Sequence, residues 1–293
     1  MSMIEVDPIR PGVLSRFTSR WTRDWFVVVG GGLIAVIVLA ALLAPWITPY
    51  PQDAQGAVDP VNGLLPPSAQ HWFGTDKVGR DIFTRVVFGA RTSLLVVACV
   101  LIASIIIGVI LGVWAGYAGG WWRDVIMRIT DVFLAFPALL LALALALVLP
   151  RGLPTLIIAI SVTWWPWYTR LIAAVANSVS ERPYVEVART LGEPGWRIVG
   201  RHVLPNSLTP VVVQASLDAG GIILVVATLS YLGLGVSEPT AEWGLMVQQG
   251  QSLLGTQWWV VTFPGLAIMV TALAFNLLGE GLRESLDPRR RTR

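Results

Sequence analysis

The sequence predicts an all-α integral membrane protein with six transmembrane helices. Two observations carry that expectation. Of 293 residues, 55% are hydrophobic and only 13% are charged, whereas a soluble domain carries about 25% charge. Such a chain cannot clothe a water-facing surface of its own size. The second observation is a set of six apolar runs, each close to the roughly 20 residues a helix needs to cross about 30 Å of hydrocarbon. Helices follow because lipid cannot satisfy free backbone N–H and C=O groups. Apolar runs this long exclude a β-barrel. Composition also excludes disorder, and a disulfide scaffold is excluded because Cys99 is the only cysteine.

In chain order, residues 1–25 are a mostly polar segment expected in the cytoplasm. Residues 26–47 are the first transmembrane helix. Its apolar core is too long, and its preceding segment too extended, for a cleaved signal peptide. Residues 48–92 form an extracytoplasmic segment of mixed charge, rich in Pro and Gly. The core transmembrane domain, 93–280, holds spans at 93–115, 132–149 (with Pro137 one turn in), 154–174, 208–229 and 259–278. Residues 281–293 are an Arg-rich cytoplasmic tail. With both termini inside, sixteen of the 21 Lys and Arg residues fall on the cytoplasmic side, as the positive-inside rule requires. The outer loop 236–257 has Glu238 and Glu242 and no base. Trp25, Trp46, Trp121, Trp122, Trp258 and Trp259 lie at expected interfaces, where an amphipathic ring is favoured.

Three groups inside the spans draw attention. Asp218 sits near the middle of the fifth span, where a carboxylate costs roughly 3 kcal/mol unless it faces protein or water. Gln214 lies one turn away on the same face. The pair is a candidate lining of a solute path; a structural hydrogen bond to a neighbouring helix is the alternative. Trp164 and Trp165 flank Pro166, which should kink the fourth span; their rings line a cavity or pack as bulk. Gly108, Gly112 and Gly116 recur every four residues, a smooth groove for close helix contact within the subunit or across a dimer. The basic tail is read as a topology and lipid signal, not as a nucleic-acid site.

Catalytic machinery is not expected. Lys77, the only lysine, is outside any Gly-x-x-x-x-Gly-Lys phosphate loop, so the chain has no nucleotide site of its own. His71 and His202 fall on opposite sides of the membrane without cysteine company, so no metal centre is expected. No serine sits in a Gly-x-Ser-x-Gly elbow. Uphill transport would have to draw on an ion gradient or on another chain.

The loop 181–205 between the fourth and fifth spans carries the main signal. Its residues predict a short helix over 184–191, Gly192 as a left-handed cap, and a second helical piece from Pro194 to His202. Pro205 then leads into the fifth span. A helix–Gly–helix of this kind is a compact knob suited to docking.

Glu186-x-Ala188-x-x-x-Gly192, followed by Leu204-Pro205, resembles the "EAA" loop of ABC importer permeases. Arg201-His202-Val203-Leu204-Pro205-Asn206 is similar to the dipeptide/oligopeptide/nickel branch, in particular its second, "C"-type permease. Further strings point the same way. Gly74-Thr75-Asp76 with Gly79-Arg80-Asp81, and Ala115-Gly116-Tyr117 with Gly119-Gly120, resemble the branch on either side of the second span. Leu229-Ser230-Tyr231-Leu232-Gly233-Leu234-Gly235, Phe263-Pro264-Gly265 and Leu286-Asp287-Pro288-Arg289 do so towards the C-terminus. Val187, His202 and Val226 depart from the pattern; at Val226 the family's glutamate is lost.

The resemblance implies the type I ABC importer permease fold in a bacterial plasma membrane, with Tyr184, Glu186, Ala188, Leu191, Gly192, Leu204 and Pro205 in the ATPase-coupling loop. It implies a homologous second permease in a heterodimer, two ABC ATPase domains and an extracytoplasmic solute-binding protein. ATP and Mg would be bound by the ATPases, with no cofactor in this chain. Di- and oligopeptides are the expected cargo, and nickel chelates or other small solutes the alternative. A self-sufficient secondary transporter is the rival class, which an inverted repeat or several intramembrane acids would favour; Asp218 stands alone.

Overall fold

The computed structural model describes residues 25–286. The segment 1–24 and the tail 287–293, with most of the Leu-Asp-Pro-Arg ending, lie outside the described residues. Within them the chain is helical, with no strand. Helix α1 is Trp25–Ile47 and α2 is Ile82–Ala118; α3, Gly120–Leu134, and α4, Ala138–Val148, follow. Helix α5 is Leu153–Ser180, α6 Pro183–Thr190, α7 Gly195–Ile198 and α8 Leu204–Tyr231. Helices α9, Trp243–Gly250, and α10, Trp259–Leu286, complete the bundle.

Length and apolarity alone do not confirm all six expected spans. Among the described residues, four helical stretches are by themselves long and apolar enough to cross a membrane, and a bent pair makes up to five. The four are α1, α2, Gly195–Tyr231 and α10. Helix α5 has 28 residues, about 42 Å, but Trp164–Trp167 and Arg170 lower its apolar character. The third expected span is not one helix. Helices α3 and α4 meet at 84°. Pro137 supplies no N–H and biases Phe136 away from helical torsions, so the helix stops there. Residues 132–134 therefore finish the amphipathic α3, and α4, at 11 residues, covers only about 16 Å.

The 37-residue α2 starts eleven residues before the expected membrane boundary, because Asp81 caps it: Asp81 Oδ2 accepts the Thr84 N–H at 2.7 Å. It stops at Gly119 and Gly120, both at positive φ. Its length separates two ends of the molecule. At one end, Trp243 of α9 donates Nε1–H to the Val86 carbonyl, and Trp259 of α10 donates to Thr75. At the other, Tyr117 meets the loop carrying α6 and α7. Val27 abuts Gly281, so both described chain ends lie at this second end.

Two buried clusters hold the bundle. The larger joins α2, α4, α5, α8, α9 and α10 through residues such as Val96, Ala142, Leu156, Ile222, Trp243 and Ile268. The smaller joins α2, α5 and α8 to the loop through Val113, Ile172, Val185, Ile198 and Val211. Val226, in place of the family's glutamate, is fully buried in the larger. Leu39, Ile106, Leu140 and Met269 stay exposed, as side chains facing lipid would.

The glycine stripe works inside this subunit. A Cβ on Gly112 would stand 2.8 Å from the Ile172 Cβ and 2.8 Å from the Thr169 carbonyl oxygen. Gly116 meets Ala176 in the same way and Gly108 meets Tyr168. The repeat of four on α2 thus reads the repeat of four on α5. Gly112→Leu is expected to cost about 3 kcal/mol, the upper range for overpacking. Truncating Ile172 should not rescue it, since the Thr169 carbonyl is backbone. Thermal unfolding in detergent checks this; an unchanged midpoint would contradict the packing.

Candidate functional site

The loop beyond α5 folds as a capped knob. Gly192 takes φ +78°. The Glu193 N–H bonds the Ala188 carbonyl at 3.0 Å and the Gly192 N–H bonds that of Arg189 at 3.0 Å, the paired bonds of a Schellman motif. Nothing crowds Gly192; its torsion is what requires glycine. The second helical piece is not separate from the fifth span. Residues 199–203 form a π-turn, in which the Leu204 N–H reaches the Val199 carbonyl. Pro205 has no N–H, and its ring would clash with the carbonyl four residues back, so the helix widens there and continues.

One face of the knob is locked down. Val185 and Ile198 are fully buried, and Ala188 is 8% exposed. They pack with Val179, Ile172 and Val203, with Leu204 half-buried beside them. Arg189 lies over the Tyr117 ring at 4.9 Å, and Gly195 sits against the same ring. The other face is apolar and bare: Tyr184, Val187, Leu191 and Trp196 are 41%, 55%, 81% and 73% exposed. Glu186 and Pro205 are also exposed. Ala188 faces its own core, and Val187 occupies the outer position. Trp196 and Tyr117 were not among the expected site residues. The hint for Trp196 was a tryptophan in a short loop of otherwise amphipathic pattern.

At mid-bundle, Gln214 Nε2 donates to Asp218 Oδ1 at 2.9 Å. Asp218 Oδ2 is buried beside the Tyr168 hydroxyl, neither with a well-aligned partner. Trp164 reaches the same carboxylate. Trp165 does not: it is 8% exposed and meets Phe133 edge-on at 5.3 Å. Neighbours on a helix point about 100° apart, so only one of the pair can face Asp218. Tyr168 is the member of this cluster the sequence reading missed.

The opposite end is a polar cap. Asp76 accepts from the backbone of Val78 and Arg80, both at 3.0 Å, and from Arg80 Nε at 2.8 Å. Arg85 also donates to it. His71 Nδ1 lies 2.9 Å from Asp81 Oδ1. Glu242, 1% exposed, caps α9 by accepting the Gly244 and Leu245 N–H groups at 2.9 and 2.8 Å. Burial pushes the Glu242 carboxyl above its usual range, against the pull of those two donors.

A helical membrane body with a bare apolar knob at one end, a polar cluster at mid-depth and a charged cap at the other is built as a transport subunit. Residues 108–292 match the family described as binding-protein-dependent transport system inner membrane component. Residues 13–67 match the N-terminal TM domain of oligopeptide transport permease C. The chain is 41% identical to the probable D,D-dipeptide transport system permease protein DdpC of Escherichia coli, over 97% of this chain and 96% of that one. It is 42% identical to the dipeptide transport system permease protein DppC of Alkalihalophilus pseudofirmus, over 91% and 87%. With the glutathione transport system permease protein GsiD of Shigella sonnei the identity is 39%, over 99% and 94%. An inward-facing structure of the MetNI methionine ABC transporter shares the fold, with a TM-score of 0.55 at 18% identity, over 69% of this chain and 97% of that one. The chain belongs to the family of binding-protein-dependent inner-membrane transport components, and it is a permease of an ABC importer.

Proposed function

We propose that this permease imports di- or oligopeptides, working with a homologous second permease, two ABC ATPase domains and an extracytoplasmic solute-binding protein. ATP and Mg are bound by the ATPases and not by this chain. The observation that carries the reading is the knob. Its buried side ties α6 rigidly to α5 and α8, while Tyr184, Val187, Leu191 and Trp196 leave an apolar face bare. A push on that face is transmitted to two long helices. Arg182, Arg189, Arg197 and Arg201 at the knob favour the cytoplasmic side, and both described chain ends share it. The peptide cargo is supported by relatives named for dipeptides and glutathione over most of their length.

The test is uptake of a labelled dipeptide by proteoliposomes holding the whole importer with its binding protein. Uptake that depends on ATP supports the reading. Import of a nickel chelate but no peptide would favour the alternative cargo.

Gln214, Asp218, Trp164 and Tyr168 are proposed to line the solute path, Asp218 meeting the peptide ammonium. Asp218→Asn is then expected to lower uptake about tenfold or more, the worth of a hydrogen bond to a charged group, with the complex still assembled. Unchanged uptake by that variant would remove Asp218 from the path.

A further inference from the structure

At the end of the bundle opposite the knob, a cavity of about 360 Å³ lies between the 76–82 segment, α9 and the start of α10. Its wall holds Lys77, Arg80 and Arg85 against Asp76 and Glu238, with the amides of Gln248, Gln249 and Gln251 beside them. Two guanidinium groups, 3% and 1% exposed, share one carboxylate. Asp76 Oδ2 accepts from Arg80 Nε and from Arg85 Nη1, while Arg85 Nε and Nη2 have no partner. Glu238 lies 3.4 Å from Arg80 Nη2, but its side chain is 56% exposed to solvent, which weakens its hold. Lys77 has no ion-pair partner among the described residues; its Nζ reaches the Ser252 hydroxyl at 3.3 Å.

Three bases against two acids leave the lining one positive charge in excess. Lys77 is exposed, so the excess is presented to solutes in water, backed by the two buried guanidinium groups. One carboxylate would neutralise it. Gln249 Nε2 donates to Glu238 and Gln251 Oε1 accepts from the Tyr231 hydroxyl, which leaves the Gln248 amide, the Gln249 carbonyl and the Gln251 N–H donors as complements of a peptide bond. Lys77 is the only lysine in a chain whose other bases are all arginine. Its ammonium rides on a flexible stem with rotatable donors, free to turn from Ser252 to a ligand.

The geometry points to this cavity as a holding site for the free carboxylate of a small peptide solute, with Lys77 as its anchoring cation. The volume is near the lower end of ligand pockets, roughly 300–1,000 Å³, which suits a solute of dipeptide size. This inference rests on the peptide reading above and adds to it a recognition element outside the membrane path.

The experiment uses the assembled importer in nanodiscs, without its binding protein. Equilibrium binding of labelled alanyl-alanine and of its C-terminal amide is measured for wild type, Lys77→Gln and Lys77→Arg. Wild type is expected to prefer the acid. Lys77→Gln should lose about tenfold or more in affinity for the acid, as for a lost charge-assisted hydrogen bond, and leave the amide unchanged. Lys77→Arg should retain most of the preference. Equal binding of acid and amide by wild type, or an unmoved acid affinity in Lys77→Gln, overturns the proposal. ATP-driven dipeptide uptake by wild type separates the two levels: its absence sinks the peptide reading, whereas normal uptake with unmoved Lys77→Gln binding sinks only the cavity.

Discussion

Replacing Leu191 and Trp196 together by aspartate is expected to lower ATP-driven uptake about 100-fold or more. Large apolar anchors at an interface are each worth about 2 kcal/mol or more, and two such losses compound. The side chains are 81% and 73% exposed, so the fold gives up little when they change. Val185, Ala188 and Ile198 continue to seat the knob, and the Schellman cap around Gly192 is untouched. The defect should therefore lie in coupling. The variant is expected to melt like wild type, to retain the second permease, and to lose stimulation of the ATPases by solute-loaded binding protein. Wild-type uptake from the double variant would show that the bare face of α6 and α7 is not where force enters.

Asp76→Asn is expected to be the most destabilising single change at the other end of the molecule. The carboxylate is 7% exposed and serves two buried guanidinium groups at once. Removing one partner of a buried ion pair costs about 3–5 kcal/mol, because the stranded charge cannot be solvated. The amide keeps the size of the side chain and can still accept from the Val78 and Arg80 N–H groups, so the loss isolates the charge. Adding Arg85→Met should restore part of the stability, since it removes the cation that was left alone. Thermal unfolding of the two single variants and the double variant measures this coupling. Losses that simply add would mean that Asp76 and Arg85 act independently.

Much of the architecture was legible because it follows from local rules. The first span matches its hydropathy bounds at Trp25–Ile47, and the last starts where hydropathy places it, at Trp259, but its helix runs on to Leu286. The left-handed turn at Gly192 and the restart after Pro194 follow from backbone torsion alone. The stripe Gly108, Gly112 and Gly116 announced a close contact, but only the fold names its partner, because Tyr168, Ile172 and Ala176 lie some 60 residues away. Pro137 was visible one turn into the third span; that the span breaks there at 84° depends on where the amphipathic α3 must lie. That Ala188 packs inward while Val187 faces out was not legible, because a short helix has too few residues for its buried face to be assigned from pattern. Asp76 and Arg80 appeared as parts of a string, with no sign that Arg80 closes on Glu238 more than 150 residues later. Long-range polar closure of this kind leaves no periodic trace in the chain.

As proposed above, this chain is a permease that takes its energy from partner ATPases docked on the knob. Purification of the tagged wild-type protein from gently solubilised native membranes tests it most directly. An ABC ATPase and a second, homologous permease are expected to co-purify with it in fixed proportion, and the reconstituted complex is expected to move solute only with ATP. A chain that purifies alone and still carries solute across liposomes without ATP would contradict it.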